Sequence, residues 1–225
     1  MTLSAICYGA GYLTGLTAFW WMACRRRLAT QGVLLLMLAG LIGGLASANL
    51  AQRLVAGTEG KTVLGAVAGG WLCVALCKRG LGIRRPLGDL FAVALSAGEA
   101  VGRWGCFFGG CCYGRPTGVP WAIWQHGAWR HPTQVYLSLA ALAILIALVR
   151  TERRSLPENG LFYLQGLLYC AARFLIECWR ESPPLALSLS AAQWACLAGL
   201  GFFAWKAQGL KQPARRLAAQ PERSL

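Results

Sequence analysis

Residues 133–149 read TQVYLSLAALAILIALV, with His131-Pro132 before them and Arg150 directly after. No charge interrupts the run, and a helix that spans a bilayer needs about 20 mostly apolar residues. The spacing predicts a transmembrane helix with Pro132 in its first turn, where a missing N–H does no harm. Comparable runs flank it on both sides. They predict spans at residues 5–24, 32–50, 62–77, 89–101, 161–179 and 189–205. The runs at 62–77 and 89–101 are short for a clean crossing. They are expected to be tilted, broken or partly re-entrant, which is tolerated where backbone is buried in protein. Arg25, Arg26 and Arg27 follow the first apolar stretch, the reverse of a secretory signal, so that stretch reads as a span and not as a cleaved leader.

Composition agrees with this reading. The chain has 225 residues, of which 56% are hydrophobic and only 13% charged, and its mean hydropathy is +0.48. A soluble domain carries roughly a quarter charged residues, so a soluble globular enzyme is excluded. Abundant Trp and aliphatic residues exclude disorder. The length accommodates about seven spans with short loops and leaves no room for a separate soluble domain. The net charge of +14 is explained by basic cytoplasmic loops and does not call for nucleic acid. With the N-terminus outside, the inside segments hold 15 of the 22 basic residues. The remaining seven are Arg53, Lys61, Arg103, Arg115, Arg130, Arg173 and Arg180. The expected fold is therefore an all-α integral membrane protein of about seven helices, N-terminus out and C-terminus in. Residues 1–205 form a single polytopic domain, and residues 206–225 a frayed basic cytoplasmic tail.

The outer basic residues are where chemistry is sought. Arg103 opens a stretch running from Gly102 to Gly114 that contains five glycines and Cys106, Cys111 and Cys112. Glycines weaken a regular helix and let backbone N–H groups approach a ligand. This stretch is expected to be a broken segment at the outer face, with Arg103 engaging a phosphate through paired hydrogen bonds. A tight turn with a snorkelling Arg is the plain structural reading.

Tyr169, Arg173, Glu177 and Arg180 are spaced four, four and three residues apart, which places them on one helical stripe. Ionisable residues in a span usually face the bundle interior or a polar cavity. They form either an anion-binding cavity or a structural ion-pair ladder. A third group is Arg130-His131-Pro132-Thr133-Gln134-Val135-Tyr136. His126 and His131 are the only histidines, so any imidazole acid–base role falls to one of them.

Three chemical readings of Cys106, Cys111 and Cys112 remain open beside simple packing. One is a disulfide in an oxidising compartment. Another is a zinc site, which needs a fourth ligand such as His126 or His131. The third is a thiolate activated by Arg103. No metal and no cofactor is expected.

These segments, in this order, resemble the bacterial prolipoprotein diacylglyceryl transferases. Gly102-Arg103-Trp104-Gly105 through Gly114 is similar to the family signature, and His131-Pro132-Thr133-Gln134-Val135-Tyr136 to its His-Pro-Ser/Thr-Gln-Leu-Tyr segment. The run from Arg173 through Glu177 to Arg180 resembles its Arg…Glu…Arg helix, and Tyr8-Gly9 its first-span Tyr-Gly. Asp89 falls at the matching distance before Arg103. The resemblance implies an enzyme of the bacterial inner membrane that transfers the diacylglyceryl group of phosphatidylglycerol to the lipobox cysteine of a prolipoprotein. Glycerol phosphate is released. The implied partners are phosphatidylglycerol, the prolipoprotein signal peptide with its lipobox, and the bilayer, with no nucleic acid.

Carried onto this chain, the implied catalytic residues are Arg103, Arg173, Glu177, His131, Cys106 and Cys111. The implied substrate-binding residues are Tyr8, Gly102, Gly105, Gly110, Gly114, Gln134, Tyr136, Tyr169 and Arg180. The signature departs from the family in three places. Cys106 and the Gly109-Gly110-Cys111 run stand where the family has Asn and then Asn-Gly-Glu. Leu64-Gly65-Ala66 stands near the expected His-Gly-Gly, and Leu137 stands where a Glu follows the Gln-Leu-Tyr run. Two alternatives follow from these departures. One is a related phosphatidylglycerol-dependent transferase with another acceptor. The other is a non-enzymatic membrane protein that binds or transports lipid. A thiol redox membrane protein is disfavoured, because no Cys-x-x-Cys pair is present.

Overall fold

A computed structural model describes residues 2–56, 63–153 and 156–218. Lys61 and Arg154, the first residue of the span expected at 62–77, and the tail from residue 219 onward with Arg223 lie outside the described residues. Seven helices account for most of the rest: α1 Thr2–Arg25, α2 Gln31–Ala56, α3 Val63–Gly80, α4 Gly88–Phe108, α5 Thr133–Glu152, α6 Gly160–Glu177 and α7 Ala191–Ala218. Two small antiparallel hairpins interrupt them. β1 Ile123–Gln125 pairs with β2 Ala128–Arg130, and β3 Pro184–Ala186 with β4 Leu189–Ser190. Among the described residues, Gln31–Leu50 and Thr133–Glu152 are long and apolar enough to cross a membrane by length and composition.

Several boundaries differ from the expected ones. α4 continues without a break through Gly102 and Gly105 to Phe108, so the short span expected at 89–101 is a helix of 21 residues. Glycine costs helix about 1 kcal/mol relative to alanine, and two such positions do not end a helix that is packed on its neighbours. The break falls at Gly109 and Gly110, the latter at φ +65°. α5 begins at Thr133, with Pro132 just outside it. α7 runs past Trp205 to Ala218, so the first part of the tail expected to be frayed is helical. The hairpins were not anticipated, because their strands are two or three residues long and carry no periodicity.

The chain forms two compact units. Phe19–Pro86 makes one, in which α2 packs on α3. There Gly43 lies against Cys73, and Gly69 against Ser47.

Met1–Ala18 with Leu87–Leu225 makes the other, in which α4, α5, α6 and α7 pack in sequence. The first turns of α1 lie beside the end of α4, where Ser4 Oγ donates to Gly105 O at 2.7 Å. Small residues let these two backbones approach. A Cβ on Gly11 would stand 2.8 Å from Gly102 Cα, and one on Gly15 3.2 Å from the Ala94 carbonyl. At the other end of α4, Gly88 N–H donates to Asn159 Oδ1 and buried Asp89 accepts from Phe162 N–H, each at 3.0 Å. Asp89 thus satisfies one of the free N–H groups that open α6. The first-span end of α1, the end of α4, the start of α5 and the end of α6 consequently meet at one end of this unit.

Candidate functional site

At that end the loop after α4 is stitched to its neighbours through backbone. Gly114 N–H donates to His131 O at 3.2 Å, Arg115 N–H to Trp179 O at 2.8 Å, and Glu181 N–H to Tyr113 O at 3.3 Å. Side chains at the start of α5 hold the same loop by its carbonyls. Thr133 Oγ1 donates to Cys112 O at 2.7 Å, and Gln134 Nε2 to Cys111 O at 2.8 Å and to Gln125 Oε1 at 3.2 Å. Arg130 donates to Gln125 O and Gly114 O, pairs with Glu181 and sits over the Tyr113 ring. Gln134 is therefore a brace of the loop. Its Oε1 is buried without a hydrogen bond.

Two cationic groups converge near this end. Arg103, with 13% of its side chain exposed, donates Nε to Glu99 Oε1 at 2.8 Å and forms an ion pair with it through Nη2. On α6, Arg173 Nη1 stands 2.5 Å from Glu177 Oε2, and Arg180 Nη1 stands 3.6 Å from the same oxygen. The other Glu177 oxygen accepts from Ser182 Oγ at 2.7 Å and Ser190 Oγ at 3.2 Å. Arg173 Nη1 and Glu177 Oε2 pair with each other as buried charges, while Arg180 Nε is buried without a hydrogen bond. Tyr169 interacts electrostatically with Glu99, Arg103 and Arg173 and so joins the two groups. The four-residue stripe expected on α6 is thus real, although Arg180 lies in the turn just past the helix.

The three cysteines of the loop also converge. The Sγ atoms of Cys106, Cys111 and Cys112 lie within 4.8 Å of one another. Tyr8 donates to Cys106 Sγ at 3.3 Å and has its hydroxyl 3.8 Å from Cys111 Sγ. Arg103 adds a positive charge near Cys106. Hydrogen bonding to Cys106 and Cys112 pushes the Cys111 thiol well above the usual thiol range. Cys112 has φ +60°, and this turn brings its thiol back toward the end of α4.

The remaining sequence candidates have packing explanations. Gly105 faces the Tyr8 ring, where a Cβ would come within 2.7 Å. Gly114 is pressed against His131 and against Trp179 O. Gly110 supplies the positive φ of the turn, whereas a Cβ on Gly102 would meet nothing within 4 Å, so the close approach of α1 rests on Gly11. His131 and Tyr136 form a pair apart from the thiols. His131 Nδ1 is 3.2 Å from the Tyr136 hydroxyl, which also accepts from Trp121 Nε1 at 2.7 Å. The His131 ring packs beside Trp179. His126 binds Gly110 O through Nε2 at 2.6 Å and stacks on Tyr113.

Sequence reasoning missed Glu99, Ser182 and Ser190. The four-residue step from Glu99 to Arg103 was a readable signal for an ion pair. The serines had none, because the β3–β4 hairpin is what returns Ser190 to Glu177.

The family model described as "Prolipoprotein diacylglyceryl transferase" matches residues 1–205. A phosphatidylglycerol–prolipoprotein diacylglyceryl transferase of Finegoldia magna is 36% identical over 115 residues, covering 50% of this chain and 46% of the relative. The protein of the same name from Gloeobacter violaceus is 35% identical over 150 residues, covering 61% and 55%. That from Acaryochloris marina is 31% identical over 156 residues, covering 63% and 57%. The chain therefore spans about half the length of the curated relatives it matches.

Proposed function

The chain belongs to the prolipoprotein diacylglyceryl transferase family, and from that premise we propose that it transfers the diacylglyceryl group of phosphatidylglycerol to the lipobox cysteine thiol of prolipoproteins. Glycerol phosphate is the released product. The observation that carries this reading is the set of guanidinium groups held on carboxylates: Arg173 and Arg180 on Glu177, and Arg103 on Glu99. A guanidinium has five N–H donors, so one held by a carboxylate through one nitrogen keeps others for a phosphate.

In this reaction the acceptor thiol loses its proton and its sulfur attacks the glyceryl carbon that bears the phosphate. The C–O bond breaks, and its electron pair leaves on the phosphate oxygen. Charge therefore builds on the departing phosphate, and fixed cationic donors stabilise it most at the transition state. Arg103 and Arg173 clamp the phosphoglycerol, with Arg180 at the edge. Glu177 and Tyr169 hold the guanidinium groups in place. Tyr8 borders the site from α1. Gln134 and the glycines at 110 and 114 give the loop its shape, while Gly102 and Gly105 lie on the last turns of α4 beside α1.

The seven helices are proposed as seven spans, N-terminus out. Even the 18-residue helices α3 and α6 rise about 27 Å, close to the hydrocarbon thickness. Residues 1–205 are read as the polytopic domain and residues 206–225 as a cytoplasmic tail, in the bacterial inner membrane. Trp104, Trp121, Trp124, Trp129 and Trp179 are exposed around the site end, as an interfacial aromatic belt would be.

The test is complementation. A bacterium depleted of its own diacylglyceryl transferase, expressing this chain, should regain growth and mature lipoproteins. Expression at normal level without maturation of any lipoprotein would contradict the assignment and favour a transferase with another acceptor.

A further inference from the structure

The reaction proposed above is the alkylation of a thiol, and it needs a thiolate. At pH 7 a free cysteine, with pKa about 8.5, is ionised to only about 3%. Some group must therefore deprotonate the acceptor. Neither histidine joins the thiol cluster. His126 is committed to Gly110 O and Tyr113, and His131 Nδ1 to Tyr136. Among the described residues the cluster consists of three thiols alone, with no imidazole or carboxylate ligand atom in the group.

Three thiols are an unusual set for packing and a natural one for a soft cation. In a tetrahedral zinc–thiolate site, Zn–S bonds of about 2.3 Å set sulfur atoms about 3.8 Å apart. The Sγ atoms here lie within 4.8 Å of one another, so contraction by about 1 Å or less closes the site. The backbone that carries them is fixed. Cys111 N–H bonds to Cys106 O at 3.1 Å, while Thr133 and Gln134 hold the carbonyls of Cys112 and Cys111. Arg103 offsets the negative charge of a thiolate set. Cys111 is exposed, which leaves a side open to an incoming ligand. Structural zinc sites are closed by four protein ligands, whereas catalytic ones keep three and leave the fourth position to water or substrate.

We infer that Cys106, Cys111 and Cys112 form a three-thiolate site for a thiophilic divalent cation such as Zn2+, with its fourth position reserved for the acceptor thiol of the prolipoprotein. The inference rests on the transferase reading. A thiol coordinated to zinc is deprotonated outright. Its proton passes to solvent when it binds. Its sulfur then forms the S–C bond as the glyceryl C–O bond breaks, and the electron pair leaves on glycerol phosphate. Charge balances: a thiolate and a singly charged phosphodiester give a neutral thioether and a doubly charged phosphomonoester. The zinc site weighed from the sequence required His126 or His131 as its fourth ligand; here the substrate takes that place.

The test uses the whole chain, purified anaerobically in detergent with reductant and loaded with Co2+ as a spectroscopic probe. The expected result is one equivalent bound, with thiolate-to-cobalt charge transfer in the near ultraviolet that intensifies when a lipobox peptide is added. A peptide with Ser in place of the lipobox Cys should leave the spectrum unchanged. C106S and C112S should each weaken Co2+ binding at least about tenfold. On the unmutated protein, stripping with a chelator should lower transfer at pH 7 about thirtyfold, the ratio set by a free thiol, with recovery on adding Zn2+ or on raising the pH toward 9. Full transfer by metal-free protein would overturn this inference and leave the transferase reading standing. Absence of thiolate charge transfer, or a disulfide among the three cysteines in the active protein, would overturn it as well. A cobalt spectrum with three thiolates in protein that never transfers lipid to the peptide would overturn the acceptor role together with the transferase reading.

Discussion

Glu177 Oε2 lies 2.5 Å from Arg173 Nη1, and the other oxygen of the same carboxylate is held by two serine hydroxyls from beyond the helix. A single buried carboxylate therefore sets the position of the guanidinium assigned to the lipid phosphate. Removing one partner of a buried ion pair costs about 3–5 kcal/mol, because the other is left uncompensated. Glu177→Ala should show that cost as a large drop in the thermal midpoint of the detergent-solubilised protein. Arg173→Lys keeps the charge but loses the fork that engages a phosphate through two parallel bonds. It should stay folded and lose roughly a hundredfold in kcat. Wild-type rates in Arg173→Lys would remove Arg173 from the clamp.

Helix α1 reaches the site because Gly11 and Gly15 let it lie close to α4. At Gly11 an added Cβ would stand 2.8 Å from Gly102 Cα, whereas at Gly9 it would meet nothing within 4 Å. Gly11→Val should destabilise by about 1–3 kcal/mol through overpacking. Gly9→Ala should be neutral or slightly stabilising. Paired thermal melts decide this, and equal effects at the two positions would contradict the close approach.

Asp89 works at the end of the unit away from the phosphate clamp. It accepts the Phe162 N–H at the start of α6. Asp89→Ala should lower stability by about 1 kcal/mol, as loss of a helix cap does. At a temperature where the variant is fully folded, its transfer rate should match the wild type. A rate loss without a stability loss would assign Asp89 to the chemistry instead.

Arg130 ties together the loop after α4, the β1–β2 hairpin and the segment after α6. Its bonds to the Gln125 and Gly114 carbonyls are part-buried, while its partner Glu181 has a side chain 51% exposed. Exposed ion pairs contribute only about 0–1 kcal/mol. Glu181→Gln should therefore be nearly silent. Arg130→Ala should open the loop, seen as faster proteolytic cleavage between residues 109 and 130. Equal resistance in the two variants would contradict the bracing role.

The helical character of the chain was readable because apolar runs of helix length carry their own signal. The stripe from Tyr169 to Arg180 was readable because a period near 3.6 puts those residues on one face. The continuity of α4 was not, since Gly102 and Gly105 look like helix breakers until α1 is packed against them. A Cβ on Gly105 would come within 2.7 Å of the Tyr8 ring on α1, a contact that spacing alone does not disclose. Ser190 reaches Glu177 only through a hairpin too short to announce itself, and Ser182 through the turn just past α6. The meeting of the three thiols depends on the positive φ values at Gly110 and Cys112 and on the grip of Thr133 and Gln134. A spacing of five and one between cysteines does not disclose that.

The most direct test of the account is a transfer assay with purified protein in detergent, phosphatidylglycerol and a synthetic lipobox peptide. The account predicts that the peptide gains the mass of one diacylglyceryl group for each glycerol phosphate released, and that both signals disappear in Arg103→Ala. Folded, metal-loaded protein that releases no glycerol phosphate and leaves the peptide mass unchanged would contradict it.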